Sequence, residues 1–283
     1  MANQTGLVLG GGGITGAAWE IGLLAGLVEA GVDLTRADLV VGTSAGAVVG
    51  AQILSGLPIE ELYARQLSEP VGEIPARLGL ANIGRFLALM LWPGDESKVR
   101  ARIGKAAVRA QTMSESTRRS IIASRLPVNA WPERDLRITA VDAATGEFVV
   151  FKRDSGVELA VAVAASCAVP LVYPPITIKG RRYIDGGARS GINADLATGC
   201  NPVVVLAPFS LAFRRSHRAE NQLASLGQGI RSIVVTADQQ ARKAMGRQAL
   251  DPAYRAASAR AGKAQAPSVA SAVATIWSPV HTA

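Results

Sequence analysis

The first 55 residues contain two copies of one local pattern: an apolar strand, a glycine-rich turn and a helix. Residues 7–9 lead into four consecutive glycines and an apolar helix over 17–30. Residues 38–41 lead into a second Gly/Ser turn and a helix of small residues that starts at Ala45. Strands connected through helices pair in parallel, because the crossover returns the chain to the same end of the sheet. The pattern therefore predicts an α/β fold with a mostly parallel central sheet.

The rest of the chain is predicted to continue the same domain. Helical patterns cover most of residues 57–127, and apolar strands then return. The later predicted elements are strands at 137–141, 147–152, 176–178, 182–184 and within 202–208, a helix at 159–167, and a helical tail over 238–266 that is interrupted near Pro252. We expect one domain over residues 1–283, with a core at 5–210 and a basic helical C-terminal region at 211–283.

Composition excludes several classes of protein. Apolar residues make up 49% of the chain and charged residues 18%, which is too apolar for a disordered chain. The net charge of +8 favours contact with anionic surfaces such as phospholipid headgroups, although a basic enzyme explains it equally. Cys167 and Cys200 do not make a disulfide framework, and the sequence shows neither a signal peptide nor a transmembrane segment. We expect a cytoplasmic protein, with contact at a membrane surface as an open alternative.

The first glycine-rich turn, residues 11–16, matches the G-x-G-x-x-G pattern of dinucleotide-binding loops. That class needs a carboxylate at the end of the second strand, whereas Asp38 stands at its beginning. A nucleotide-binding oxidoreductase is therefore the weaker alternative. Four glycines in a row exceed what a tight turn needs, and they let several backbone N–H groups point into one small volume. Such a loop suits a phosphate or a developing oxyanion.

The second glycine-rich turn contains a candidate nucleophile. Residues 42–46 read G-T-S-A-G, a G-x-S-x-G motif between a strand and a helix, which is the context of a nucleophile elbow. Gly42 and Gly46 leave room for the sharp turn. Ser44 stands at the N-terminus of the helix, where the Ala45 N–H can join an oxyanion hole. The alternative role of Ser44 is that of a helix N-cap.

A serine nucleophile needs a base, and the chain has only two histidines. His281 is close to the C-terminus, and His217 lies among arginines, where we expect an exposed surface residue rather than a catalytic base. Asp185 is the better candidate, because it ends an apolar alternating segment and precedes Gly186 and Gly187. Partial burial beside the serine would raise its pKa and make it a stronger base. Its alternative role is the Asp-Gly turn of a hairpin.

Taken together, the three motifs resemble the patatin-like phospholipase family. They follow one another in the family's order, and the A-S-C-A-V-P stretch at 165–170 looks like the family's A-S-x-x-x-P segment before the aspartate. The resemblance covers roughly residues 5–210. It implies a three-layer α/β/α sandwich, a variant of the α/β-hydrolase theme. The sequence departs from the family at Thr15, where the family commonly has Arg or Lys.

The resemblance also implies a serine hydrolase that cleaves carboxylic esters of lipids, either phospholipids and lysophospholipids or acylglycerols. In the family pattern, Ser44 is the nucleophile and Asp185 is the base of a Ser–Asp dyad. The loop glycines that would form the oxyanion hole are Gly11, Gly12 and Gly13, and the glycines that support the motifs are Gly16, Gly42, Gly46, Gly186 and Gly187. No metal and no organic cofactor is implied, and we expect no nucleic-acid partner. A non-catalytic lipid-binding module on the same scaffold is a further alternative.

Two segments are candidates for contact with a lipid surface. Residues 78–92 carry a single charge, Arg85, and are too short to span a bilayer, so they form either a lipid-facing cap over the acyl site or an ordinary buried helix. The C-terminal region carries cations that either attract anionic lipid or form a solvated helical face. These cations are Arg242, Lys243, Arg247, Arg255, Arg260 and Lys263.

Overall fold

The computed structural model describes residues 4–69, 80–91, 94–209, 212 and 214–277. The strands in this part of the chain are β1 (Gln4–Leu9), β2 (Leu39–Gly42), β3 (Asp135–Asp142), β4 (Phe148–Phe151), β5 (Ile176–Ile178), β6 (Arg181–Asp185), β7 (Cys200–Ala207) and β8 (Ser232–Thr236). The helices are α1 (Gly13–Glu29), α2 (Ala45–Ile53), α3 (Ile59–Leu67), α4 (Leu80–Met90), α5 (Glu96–Val108), α6 (Glu115–Ser124), α7 (Leu159–Ser166), α8 (Ala219–Ala224), α9 (Gln239–Met245) and α10 (Arg255–Trp277).

These strands form one sheet in the order β5-β6-β3-β2-β1-β7-β8, with β4 added to β3. From β3 to β8 every neighbouring pair in that order is parallel. Strands β4, β5 and β6 pair antiparallel, and both predicted hairpins, β3–β4 and β5–β6, are present. The prediction of a mostly parallel central sheet is therefore confirmed.

Successive residues of the central strands lie in two different hydrophobic cores, because successive side chains of a strand point to opposite faces of the sheet. Leu7 and Leu9 of β1 lie in the larger core, which helices such as α1, α2 and α7 cover. Val8 lies in a smaller core on the opposite face, with the short 3-10 segment Ala194–Ala197 and helix α8. Helices thus flank the sheet on both faces, and the molecule is the three-layer α/β/α sandwich that the resemblance implied.

Helix α1 is buried on almost all sides, and α10 covers much of it. Gly22 of α1 and Gly262 of α10 each lie so close to the other helix that a Cβ at either position would overlap its backbone. Trp19 is fully buried, and its indole N–H donates to Gln265 Oε1 at 2.9 Å. Small residues therefore let the two helices approach closely, and the buried hydrogen bond fixes their register. These contacts join the predicted C-terminal region to the core.

Two features of the fold differ from the sequence prediction. Helix α1 begins at Gly13 rather than near residue 17, so the glycine-rich loop runs directly into it. The C-terminal region also contributes strand β8, which pairs with β7 and which the predicted helical tail does not include. The interruption near Pro252 is confirmed, because α9 ends before this proline and α10 begins after it.

Substitution of Gly22 by alanine tests the close approach of α1 and α10. The added methyl group would overlap the Ala259 carbonyl oxygen, so the helices must separate, and we expect the free energy of unfolding to fall by about 1–3 kcal/mol. Gly84→Ala is the matched control, because Gly84 lies in α4 with open space around it and should gain slightly in stability. An unchanged Tm in Gly22→Ala would contradict the packing.

Candidate active site

Ser44 lies at a sharp turn between β2 and α2. Its φ of 53° and ψ of −114° are unusual for a residue with a Cβ. The neighbouring glycines permit the turn: a Cβ on Gly42 would lie 2.6 Å from Ala47 Cα, and one on Gly46 would overlap the Leu9 carbonyl oxygen. Ser44 is 8% exposed and lines a pocket at the N-terminus of α2. The predicted strand–turn–helix context of this serine is therefore present.

The register of the sheet brings Asp185 to the level of Ser44. Strand β3 lies between β2 and β6, with Gly42 aligned to Ile138 and Ala140 aligned to Asp185. Ser44, two residues beyond the end of β2, is therefore level with the end of β6. The Ser44 side chain lies near enough to the Asp185 carboxylate to lower its pKa. Two residues that are far apart in the sequence are therefore neighbours at this edge of the sheet.

The carboxylate of Asp185 is buried, and its surroundings make it more basic. Burial raises its pKa to about 6, and the nearby Ser44 side chain, the hydrogen bond from Gly187 and the charge of Arg118 oppose part of the rise. The Gly187 N–H donates to Asp185 Oδ1 at 2.7 Å. Gly186 allows the chain to pass close to β3, since a Cβ there would overlap the hydroxyl of Thr139. A carboxyl group with this pKa is ionised at neutral pH and can accept a proton.

The segment 166–168, just before the aspartate strand, holds Ser44 and Asp185 in place. Ser166 Oγ accepts a hydrogen bond from the Ser44 N–H at 2.9 Å, and the Cys167 thiol donates to the Ser44 carbonyl oxygen at 3.2 Å. The carbonyl oxygen of Ala168 accepts from the Asp185 N–H at 3.0 Å. In the sequence this segment only resembles the family's A-S-x-x-x-P stretch, whereas in the structure it has a physical role, because it binds both Ser44 and Asp185.

The glycine-rich loop lies beside the elbow and is tied to it by a hydrogen bond of 3.1 Å from the Gly46 N–H to the Gly10 carbonyl oxygen. The expectation that Gly11 donates to an oxyanion needs correction. Its N–H already donates to the carbonyl oxygen of Gly191 at 2.7 Å, so Gly11 shapes the loop instead. Gly12 and Gly13 donate no backbone hydrogen bond to other described residues, and Gly13 lines the pocket with Ser44.

Gly16 completes the loop by closing its first turn. Its N–H donates to the Gly12 carbonyl oxygen at 2.9 Å, and a Cβ on Gly16 would lie 3.2 Å from Pro208 Cβ. Thr15 occupies the position where the family commonly has Arg or Lys. It is fully buried and does not line the pocket. Position 15 therefore supplies no charge to the site.

A buried polar network supports the elbow from behind, and none of its members was a predicted site residue. Thr43 Oγ1 accepts hydrogen bonds from Thr139 Oγ1 and from Asn193 Nδ2, each at 3.0 Å. Asn193 also donates to the Ser190 carbonyl oxygen at 2.7 Å. The network fixes the residue that precedes Ser44. The sequence gives one indication of this network, because Thr139 is a polar residue among apolar neighbours in β3.

The pocket above Ser44 has a volume of about 160 Å³. Ala45 and Gly13 line it beside the serine, and Leu250 and Arg255 line it from the C-terminal region. In the same region, the Ala249 carbonyl oxygen accepts a hydrogen bond from the Thr15 N–H at 3.1 Å. The segment predicted as a basic tail therefore forms one wall of the site.

The expected exposure of His217 is wrong. His217 is largely buried, and its Nε2 lies 3.3 Å from Glu96 Oε2 of α5. Burial lowers the pKa of His217, and Glu96 opposes part of this change. His217 does not line the pocket above Ser44, which agrees with the prediction that it is not the base. His281 lies outside the described residues.

The carboxylate of Asp38 lies away from the glycine-rich loop. It precedes β2 and accepts hydrogen bonds from the Thr5 N–H and hydroxyl, both at 2.8 Å. The loop leaves the sheet at the other end of the neighbouring strand β1. This position gives the carboxylate no access to a ribose held at the loop. Within the described ranges, no three His, Cys, Asp or Glu side chains form a group that could hold a metal ion.

Of the candidate cap at 78–92, the structure describes residues 80–91. Phe86, Leu89 and Met90 of α4 pack against a small core that includes Ile103 of α5, whereas Leu91 is 75% exposed. None of the described residues of α4 lines the pocket above Ser44. Among the helices that the structure describes, none is long and apolar enough to cross a bilayer.

A serine at a strand–turn–helix elbow, beside a buried carboxylate on an α/β/α sandwich, is an arrangement typical of serine hydrolases. The chain belongs to the patatin-like phospholipase family, whose model matches residues 7–198. It is accordingly a lipid acyl hydrolase that acts on carboxylic esters of lipids. No curated protein matches the chain significantly.

Two solved structures are similar over nearly the whole chain. VipD from Legionella pneumophila is 14% identical, with a TM-score of 0.48, over 95% of this chain and 67% of that one. The type III effector protein ExoU is 15% identical, with a TM-score of 0.41, over 96% of this chain and 53% of that one. Both TM-scores lie below 0.5, so neither likeness adds to the assignment.

The raised pKa of Asp185 predicts the acidic limb of the pH profile. If this carboxylate accepts the serine proton, kcat/KM should fall below pH about 6, where the carboxyl group becomes protonated. Ester hydrolysis is followed between pH 4.5 and 8 by chromatography of the released acid, because that signal does not depend on pH. His217→Gln is the control and should leave the limb in place. A limb that disappears in this variant would assign the titration to the histidine.

Proposed function

We propose that Ser44 and Asp185 form a catalytic dyad that hydrolyses lipid esters through an acyl-enzyme. The observation that carries the proposal is the register that sets the elbow serine beside a buried carboxylate, whose pKa is raised to about 6. Burial keeps the carboxylate weakly solvated and basic, and the elbow presents the hydroxyl to the pocket. No described histidine lines that pocket, so the carboxylate acts on the serine directly.

In the first half-reaction, Asp185 takes the hydroxyl proton while Ser44 Oγ attacks the ester carbonyl carbon. The carbonyl oxygen becomes an oxyanion. We assign its donors to the backbone N–H groups of Gly12, Gly13 and Ala45, and the N-terminus of α2 adds a favourable dipole. The alcohol leaves with the proton from Asp185, and the acyl group remains on Ser44.

In the second half-reaction, water replaces the leaving alcohol. Asp185 takes a proton from the water as its oxygen attacks the acyl-enzyme carbonyl carbon. The same backbone donors hold the second oxyanion. Ser44 leaves with the proton, and the fatty acid is released. Every proton is accounted for by one carboxylate, and no step needs a metal or an organic cofactor.

We also propose that residues 1–283 act as one domain. Helix α10 packs on α1, β8 extends the sheet beside β7, and Leu250 lines the pocket that contains Ser44. Removal of the C-terminal region would therefore open the site as well as the core. Contact with a membrane surface is a separate proposal, which Leu91 supports because it is a large apolar side chain exposed to solvent.

Ser44→Ala should abolish ester hydrolysis and keep the fold, because it removes one hydroxyl at the turn. Asp185→Asn should lower kcat by about 100-fold or more, since the amide cannot take the proton. Matched controls are Ser271→Ala, on the exposed face of α10, and Asp154→Asn, in an exposed turn. Initial rates on a short p-nitrophenyl ester measure all four variants. Wild-type turnover in Ser44→Ala would rule out the dyad.

The thermal stability of Asp185→Asn separates a lost base from a lost fold. The pKa of Asp185 is about 6 in the folded state and about 3.9 in the unfolded state. Between these two pH values the native state keeps a proton on this carboxyl group that the unfolded state has released. The stability from this group therefore falls as the pH rises from about 4 through 6. We expect the Tm of Asp185→Asn at pH 8 to equal or exceed that of the wild type. A lower Tm would mean that the activity loss reports misfolding.

A further inference from the structure

The pocket above Ser44 is rich in arginine. Three distant parts of the chain contribute four guanidinium groups to its lining: α3, α6 with the turn that follows it, and the first residue of α10. The residues are Arg65, Arg118, Arg125 and Arg255. Among the described residues that line the pocket, none is Asp or Glu. One small cavity beside the reactive serine therefore carries several positive charges on its wall.

The four arginines differ in depth. Arg118 is the deepest, at 3% exposed, and its Nη2 donates to the Cys167 carbonyl oxygen at 3.2 Å. Its guanidinium also lies 3.5 Å from the centre of the Tyr173 ring, which fixes its plane. Arg125 and Arg255 are half-buried, and Arg65 is exposed and bonded to Glu61 at 2.8 Å. The positive charges thus extend from the dyad to the pocket mouth.

The remaining wall of the pocket combines the polar side chains of Gln52, Gln66 and Ser124 with an apolar part. The apolar part includes Ile14, Val48, Ile121, Val169 and Leu250. A pocket with an apolar wall and a row of guanidinium groups suits an amphiphile that carries an anion close to its ester bond. Phosphate fits this lining well, because its several charged oxygens accept hydrogen bonds from more than one guanidinium in fixed planar geometry.

We propose that Arg118, Arg125 and Arg255, with Arg65 at the mouth, form a subsite for the phosphate group of the lipid substrate. The subsite selects phosphate-bearing acylglycerols over neutral ones. This inference rests on the proposed function, since it places the substrate ester at Ser44. Arg255 lies beyond residues 7–198, which the family model matches. The C-terminal region therefore supplies a specificity-determining residue from outside the part of the chain that the family shares.

The test compares two lipids that differ only in the phosphate. Lysophosphatidate and monoacylglycerol with the same acyl chain are presented in the same uncharged detergent micelles. For the wild type, kcat/KM should be at least about tenfold higher for lysophosphatidate. Arg125→Gln and Arg255→Gln should each lower this ratio several-fold, and the double variant should bring it close to one. The variants spare Arg118, whose burial makes its replacement a risk to folding.

Matched controls remove general effects of charge and stability. Arg260→Gln changes an exposed arginine on the same helix as Arg255, and Arg119→Gln changes an exposed arginine next to Arg118. Neither side chain lines the pocket, so both variants should keep the wild-type ratio. A ratio that falls equally in these controls would show a long-range charge effect at the micelle surface and would overturn the subsite.

A third arm separates a lipid headgroup from a soluble phosphate ester. Glycerol phosphate should inhibit monoacylglycerol hydrolysis only weakly, because it lacks the acyl chain. Strong inhibition together with equal rates on the two lipids would assign the arginines to soluble phosphate esters and overturn the headgroup role. A ratio near one in the wild type and in every variant would overturn the subsite while leaving the hydrolase intact. If the wild type cleaves neither lipid in a Ser44-dependent way, the proposed function itself fails.

Discussion

The active site depends on the hydrogen bonds that the segment 166–168 makes to both Ser44 and Asp185. Ser44 has backbone angles that a residue with a Cβ seldom adopts, so the turn needs support from its surroundings. Ser166 supports it by accepting the Ser44 N–H, and Ala168 binds the Asp185 N–H two residues further on. One short stretch at the end of α7 thus fixes the separation of two groups that lie on different strands.

Burial of Asp185 connects the stability of the fold with its chemistry. A carboxylate in water is a weak base, and taking it out of water raises its pKa at a cost to the folded state. The Gly187 N–H and the charge of Arg118 limit that cost without restoring the ordinary pKa. The same guanidinium lies in the pocket lining, so its charge acts on both the Asp185 carboxylate and the pocket above Ser44.

Sequence patterns predicted the elements whose signal is local. The two strand–glycine–helix units and both hairpins appear where the apolar periodicity and the turn glycines placed them, and the family motifs named Ser44 and Asp185. The missed features depend on contacts between distant segments. His217 is surrounded by arginines in the sequence but is buried against Glu96, and no local pattern reports that partner. The same holds for Asn193, which supports the elbow through Thr43. The pocket arginines come from three parts of the chain, and only the folded sheet brings them together.

Covalent labelling with a reagent specific for activated serines tests whether Ser44 is the residue that becomes acylated. The protein is treated with a fluorophosphonate, digested, and mapped by mass spectrometry, with Ser44→Ala in parallel. We expect a single adduct on the peptide that contains Ser44, no adduct in Ser44→Ala, and slower labelling in Asp185→Asn, because the amide cannot accept the serine proton. An adduct on another residue, or equal labelling of wild type and Ser44→Ala, would contradict this expectation.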